Sequence, residues 1–172
     1  FLEIAMAYSI VLLVDPDKDA RKNLEKVLEP QFKLVSVKNS TAASKAIKRN
    51  NVVLIVSETD LGPKSAPFEF LEQLKSDANT AAIPIIAVSE NDEPQRRIRS
   101  LSIGVAHHLR KPVDAGVLLT LANATIKSNQ RTLMAPKRIP AKGTLQPGVL
   151  LQTLAQGHRV KWSGQFSVAS GS

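Results

Sequence analysis

Acidic side chains follow a buried apolar run near the middle of this sequence. Val52 to Val56 are all apolar and four of the five are β-branched, and the run ends in Ser57, Glu58 and Asp60. Such a run predicts a strand buried on both faces, as in the centre of a parallel sheet. The carboxyl edge of an open α/β sheet is where ligands and chemistry are placed. Carboxylates there can bind a metal ion or pair with a lysine.

The rest of the chain predicts the elements that position these acids. Apolar runs indicate strands at 9–14, 32–37, 52–57, 83–88 and 106–109, and amphipathic patterns indicate helices at about 18–29, 40–49, 67–77, 94–103 and 114–128. We expect Ser40 and Asp114 to be N-caps, Pro67 to open a helix, and Gly104 to end one. Five strands alternating with five helices predict a doubly wound, five-stranded parallel sheet.

Polar residues follow four of these strands. Because parallel strands joined by right-handed crossovers end at one edge, these side chains are expected to converge. They are Asp15, Asp17, Glu58, Ser89 and Lys111.

This pattern resembles the receiver domain of two-component response regulators, which has a flavodoxin-like fold, over about residues 8–128. The shared features are an acid after strand one, an acid after strand three, a hydroxyl after strand four, and Lys111-Pro112 after strand five. The resemblance implies phosphorelay signal transduction. In that family the strand-three acid accepts a phosphoryl group, acids after strand one hold magnesium, and the lysine binds phosphoryl oxygens.

Matched to that family, Glu58 takes the phosphoacceptor position, with Ser57 there in the alternative register. Asp15 matches the first acid of the acidic cluster, but Pro16 stands where the second acid would be, and Asp17 comes one position later. Magnesium requires near-octahedral oxygen ligands. We therefore expect no cofactor, with Asp15 and Glu58 forming at most a weak magnesium site.

The resemblance gives the remaining positions two roles. Ser89 and His108 match the switch hydroxyl and the switch aromatic, and Lys111 matches the phosphate-binding lysine. The pair His107 and His108 also suggests a metal site. Adjacent residues of a strand face opposite ways, however, so the two side chains would not meet at one metal ion. The simpler interpretation of the pair is a surface pair near a sheet edge.

Charge divides the chain into two parts. The net charge is +8; residues 1–126 carry 16 basic and 15 acidic residues, a balance of +1, whereas residues 127–172 carry 7 basic and none acidic. Residues 129–145 predict a basic linker. Residues 146–172, with Gly143-Thr144-Leu145 before them and Leu150-Leu151-Gln152-Thr153-Leu154 and Ser163-Gly164-Gln165-Phe166 within them, resemble the start of a PATAN-type effector domain.

These observations favour a cytoplasmic response-regulator pseudo-receiver that is not an enzyme and acts by protein–protein interaction without phosphorylation. Its partners would be proteins, such as a histidine kinase or an effector, and a homodimer is compatible with the sequence. Two alternatives remain: a conventional phosphoacceptor receiver, and a DNA-associated regulator using the basic tail. The basic stretch 129–145 has no aromatic residue interleaved with its charges, so it lacks a base-stacking platform and nucleic acid is not expected as a partner. No stretch is long enough to cross a membrane, and the absence of cysteine excludes disulfides and thiolate metal sites.

Overall fold

A computed structural model describes residues 9–134, and these form alternating strands and helices. The strands are β1 (Ser9–Val14), β2 (Leu34–Val37), β3 (Asn51–Glu58), β4 (Ile85–Ser89) and β5 (His107–Arg110). The helices are α1 (Lys18–Leu28), α2 (Ser40–Arg49), α3 (Glu69–Ser76), α4 (Pro94–Ile103) and α5 (Ala115–Met134).

The five strands form one parallel sheet in the order β2-β1-β3-β4-β5. Successive strand residues point to opposite faces, so each central strand contributes to two apolar layers. Val11 and Leu13 pack with residues of α1 and α5, whereas Ile10 and Leu12 pack with residues of α2 and α3. The predicted doubly wound fold is confirmed, with the core divided between the two faces of the sheet.

Helix boundaries agree with the sequence predictions at two positions and differ at two. Gly104 ends α4 with φ of 98°, and the Asp114 carboxylate accepts a hydrogen bond from the backbone N–H of Val117 at the start of α5. The N-cap of α2 is Asn39, because its side chain accepts from Ala42 N at 2.9 Å, and Ser40 is already helical. Pro67 does not open α3.

Helix α3 begins instead at Glu69, after a left-handed residue. Phe68 has φ of 68°, a conformation that glycine adopts easily and phenylalanine rarely. The Phe68 side chain is buried, and its backbone N–H donates to the carbonyl oxygen of Thr59. Tertiary contacts therefore hold Phe68 in a conformation that the sequence does not signal.

Three other boundaries shift by a few residues. Strand β2 begins at Leu34, because Gln31 and Phe32 still donate to the Leu28 carbonyl oxygen at the end of α1. Strand β4 begins at Ile85, two residues later than predicted. Helix α5 continues to Met134, so the first residues of the predicted linker are helical. The rest of that linker and the PATAN-like segment lie outside the described residues.

Within residues 9–134, no helix combines the length and apolar character needed to cross a membrane.

Candidate functional site

The carboxyl edge of the sheet holds a lysine between two carboxylates. In the β1–β3 register Val14 pairs with Ser57, so the next residues along each chain, Asp15 and Glu58, lie side by side. Lys111 follows β5, and its Nζ is 2.6 Å from Asp15 Oδ2 and 2.6 Å from Glu58 Oε2. Both acids are buried. The three side chains form a compact ion triad, named here the Lys111 triad.

Burial and charge act in opposite directions on the Lys111 triad. Burial alone would lower the pKa of Lys111, but the hydrogen bonds and charges of Asp15 and Glu58 outweigh it and raise that pKa. Burial raises the pKa of Asp15, and the neighbouring Lys111 only partly offsets this effect. Lys111 therefore stays charged, with its cation directed at two carboxylates.

The second oxygen of Glu58 is held by the residues that follow it. Glu58 Oε1 accepts from the Thr59 backbone N–H at 2.7 Å and from the Thr59 hydroxyl at 3.0 Å. The Ser57 hydroxyl instead donates to the carbonyl oxygen of Glu58. The structure thus brings Glu58, and not Ser57, into contact with Lys111.

The Lys111 triad lies in an open cleft of about 660 Å³. All five residues expected at this edge line it, namely Asp15, Asp17, Glu58, Ser89 and Lys111. Asp60, Glu90 and Arg96 also contribute, which makes five carboxylates against two cations, a formal balance of −3. The cleft is therefore acidic.

Asp17 lines the cleft but has another function. Its carboxylate accepts from Ala20 N at 2.6 Å and caps the N-terminus of α1. That backbone hydrogen bond is the main cause of the lowered pKa of Asp17. Pro16, between the two aspartates, has neither a side-chain oxygen nor a backbone N–H. Asp17 therefore does not replace the missing second acid.

The magnesium ion that the family resemblance implies does not fit this set of donors. The Lys111 ammonium group lies 2.6 Å from both Asp15 and Glu58. To bind magnesium, these two carboxylates would have to face the metal ion instead of Lys111. Pro16 offers no ligand, and Asp17 faces the backbone of α1. Among the described residues, no group of three His, Cys, Asp or Glu side chains is arranged to hold a metal ion.

His108 is buried, contrary to its interpretation as part of a surface pair. Its side chain is 1% exposed, and its Nε2 lies 3.8 Å from Asp92 Oδ1. Neither ring nitrogen has a hydrogen-bond partner within the described part of the chain. Burial lowers the pKa of His108, and the charge of Asp92 only partly offsets that effect. The imidazole is therefore neutral at pH 7 and belongs to the interior.

Two residues of this site escaped the sequence predictions. Thr59 is buried and its hydroxyl contacts Ser89 Oγ at 3.0 Å and Arg96 Nη2 at 3.3 Å. Thr59 could have been found from its position directly after Glu58 at a strand end. Arg96 has no such local signal, because it is one of several basic residues in α4 whose pattern predicts a solvent-exposed helix face.

Comparisons with known proteins agree on one family. The model of the response regulator receiver domain matches residues 11–123. The GraR response regulator of Staphylococcus epidermidis is 25% identical over 115 residues, which are 66% of this chain and 50% of GraR. The protein PilH of Pseudomonas aeruginosa is 28% identical over 116 residues, which are 67% of this chain and 96% of PilH. The chain thus spans about half the length of GraR and nearly all of PilH.

A solved structure supports the fold independently. The response regulator receiver domain protein of Clostridium thermocellum matches with a TM-score of 0.65 at 20% identity, covering 72% of this chain and 98% of the other. At that identity the likeness extends to the fold alone.

Proposed function

The chain belongs to the response regulator receiver domain family of signal transduction, and we propose that this member works without phosphorylation. Receiver domains are signalling domains that interact with histidine kinases and effectors. In this proposal the receiver fold presents a permanent surface to a partner protein. Glu58 takes the phosphoacceptor position and Lys111 takes the phosphate-binding position. The two side chains form an ion pair with each other.

The observation that carries the proposal is the Lys111 triad. Lys111 Nζ is 2.6 Å from each of two carboxylates, which use two of its three N–H donors and leave one for a phosphoryl oxygen. Glu58 Oε1 is likewise occupied by Thr59. The carboxylate that would attack phosphorus is therefore held on both oxygens, Oε1 by hydrogen bonds from Thr59 and Oε2 by the ion pair with Lys111.

The charge of the cleft also disfavours a phosphoryl group. Phosphoryl transfer depends on positioning and on a metal ion that neutralises the developing charge. Here the formal balance is −3, and the donors do not fit magnesium. A phosphate approaching Glu58 would meet four other carboxylates with only Lys111 and Arg96 to compensate.

The switch positions support a single settled state. Ser89 is connected to Glu58 through the Thr59 hydroxyl, and the His108 side chain is buried with its Nε2 3.8 Å from Asp92 Oδ1. Receiver switching is a shift between two populations, and a bound group moves it only by favouring one state. The carboxylate of Glu58 would supply part of that bias permanently.

The direct test is incubation with acetyl phosphate and magnesium, followed by intact-mass measurement. We expect no phosphoryl gain in the native chain. Glu58→Asp should also remain unmodified, because Pro16 still provides no metal ligand. Pro16→Asp combined with Glu58→Asp adds the second acid after β1 and shortens the acceptor side chain to aspartate, and this double variant serves as the comparison.

A gain of one phosphoryl group in the native chain, lost in Glu58→Gln, would show a working phosphoacceptor and refute the proposal. Isothermal titration provides the control for the metal. We expect the native chain to bind magnesium with no better than millimolar affinity. Sub-millimolar binding that is lost in Asp15→Ala would contradict this expectation.

A further inference from the structure

The Thr59 hydroxyl joins three side chains from three parts of the chain. It lies 3.0 Å from Glu58 Oε1, 3.0 Å from Ser89 Oγ and 3.3 Å from Arg96 Nη2. A hydroxyl has one donor and two acceptor sites, a guanidinium only donates, and a carboxylate only accepts. Thr59 therefore donates to Glu58 and accepts from Arg96 and Ser89, so all its hydrogen-bonding capacity is used.

Arg96 makes its second contact with the same loop. Its guanidinium carbon lies 5.0 Å from the centre of the Phe68 ring, within cation–π range. The Phe68 backbone N–H donates to the Thr59 carbonyl oxygen at 2.8 Å. Both contacts of Arg96 therefore connect α4 to the loop that follows Glu58.

Helix α4 has few other attachments to the domain. Within residues 94–103, all of which the structure describes, Ser100 is the one fully buried residue, Ile103 is partly buried against the core, and Ile98 and Leu101 are 66% and 49% exposed. Arg97 and Arg99 pair with Asp92 and Glu72 at the surface, and surface ion pairs contribute little to stability. Because apolar packing anchors α4 mainly at its last turn, the earlier turns depend on polar contacts for their position.

We propose that Arg96 is a positioning residue that couples the Glu58 carboxylate, through the Thr59 hydroxyl, to the placement of α4. The inference rests on the proposed function and extends it to the surface that a partner meets. The Glu58 charge orders Thr59, Thr59 and Phe68 hold Arg96, and Arg96 fixes the helix that carries Ile98 and Leu101.

Amide hydrogen exchange measured on the full chain tests this coupling. Arg96→Met and Thr59→Val should each raise exchange in residues 94–103 about tenfold, the effect of losing one charge-assisted hydrogen bond. Helix α1 is the internal reference for global unfolding and should not change. Arg99→Met is the matched control in the same helix, and Thr59→Ser should restore native exchange because it retains the hydroxyl.

Two further variants separate coupling from simple support. Because Thr59 acts on α4 through Arg96, the double variant should exchange no faster than Arg96→Met alone. Glu58→Gln should raise exchange in α4 in the same residues. Unchanged α4 exchange in Glu58→Gln, or additive effects of Arg96→Met and Thr59→Val, would overturn the proposal. Exchange is measured without acetyl phosphate, so phosphorylation of the native chain would refute the proposed function but leave this result unaffected.

Discussion

Lys111 lies between two buried carboxylates, one of them a glutamate. The glutamate side chain is one methylene longer than that of aspartate, and Glu58 Oε2 lies 2.6 Å from Lys111 Nζ. A buried ion pair adds little net stability, but removing one partner costs roughly 3–5 kcal/mol because the other charge is left unpaired. In Glu58→Gln, Asp15 still pairs with Lys111. That variant is therefore suited to testing charge with limited disruption of the fold.

His108 predicts a pH dependence of stability. Its folded pKa is depressed by burial, so the folded protein keeps a neutral imidazole while the unfolded chain gains a proton below about 6.5. The contribution of His108 is thus intact above the unfolded pKa and is lost as the pH falls toward the folded value. The charged groups facing it are Asp92, Arg97, Glu58 and Arg96.

The measurement is the free energy of unfolding in urea at about pH 7.5 and about pH 5.5. When the pH is lowered from the higher to the lower of these values, the free energy of unfolding should fall more in the native chain than in His108→Phe. His107→Phe is the matched control for replacing a histidine of β5 by phenylalanine. Equal losses in the native chain and in His108→Phe would show that His108 does not titrate in this range.

At the scale of the elements, local contacts decide where helices begin. The left-handed Phe68 before α3 costs on the order of 1–3 kcal/mol in backbone strain. Its buried ring and its hydrogen bond to Thr59 offset that cost. The same residue supports Arg96, so the strained position lies directly between the Glu58 loop and α4.

The N-cap of α2 is Asn39 in the structure, whereas the sequence pattern predicted Ser40, and substitutions at the two positions distinguish these assignments. Asn39→Ala should lower the free energy of unfolding by about 1 kcal/mol, because the Ala42 N–H loses its side-chain acceptor. Ser40→Ala should change it little, since Ser40 is inside the helix. Urea unfolding followed by circular dichroism provides both values. If Ser40→Ala lowered the free energy of unfolding more than Asn39→Ala does, Ser40 would be the N-cap of α2.

The whole molecule separates a nearly neutral domain from a basic tail. Residues 1–126 have a balance of +1 and residues 127–172 a balance of +7. Half of the GraR length lies beyond the part that this chain matches.

The basic tail should bind nucleic acid only through charge. We expect electrophoretic shifts with any duplex at low salt that disappear by about 200 mM salt, because counterion release alone drives such binding. Two unrelated duplexes of equal length should behave alike. Shifts that persist at that salt and discriminate between the duplexes would instead support the DNA-associated alternative.

The sequence by itself determined the fold class and the residues at the sheet edge. Buried parallel strands carry continuous apolar runs, and the polar residues after them are adjacent in the chain to those runs. Strand number and the meeting of Asp15, Glu58 and Lys111 at one edge follow from these local signals together with the handedness of the crossovers. Gly104 and Asp114 were likewise predictable, because each acts on neighbouring backbone.

Only the tertiary structure decided which atoms meet. The Thr59–Arg96 contact joins residues 37 positions apart, and no local pattern distinguishes Arg96 from the neighbouring arginines of α4. The His108 side chain is 1% exposed, with its Nε2 3.8 Å from Asp92 Oδ1, although adjacent histidines near a sheet edge suggest a surface position. Phe68 adopts a left-handed conformation because its ring and N–H gain tertiary partners that outweigh its local preference.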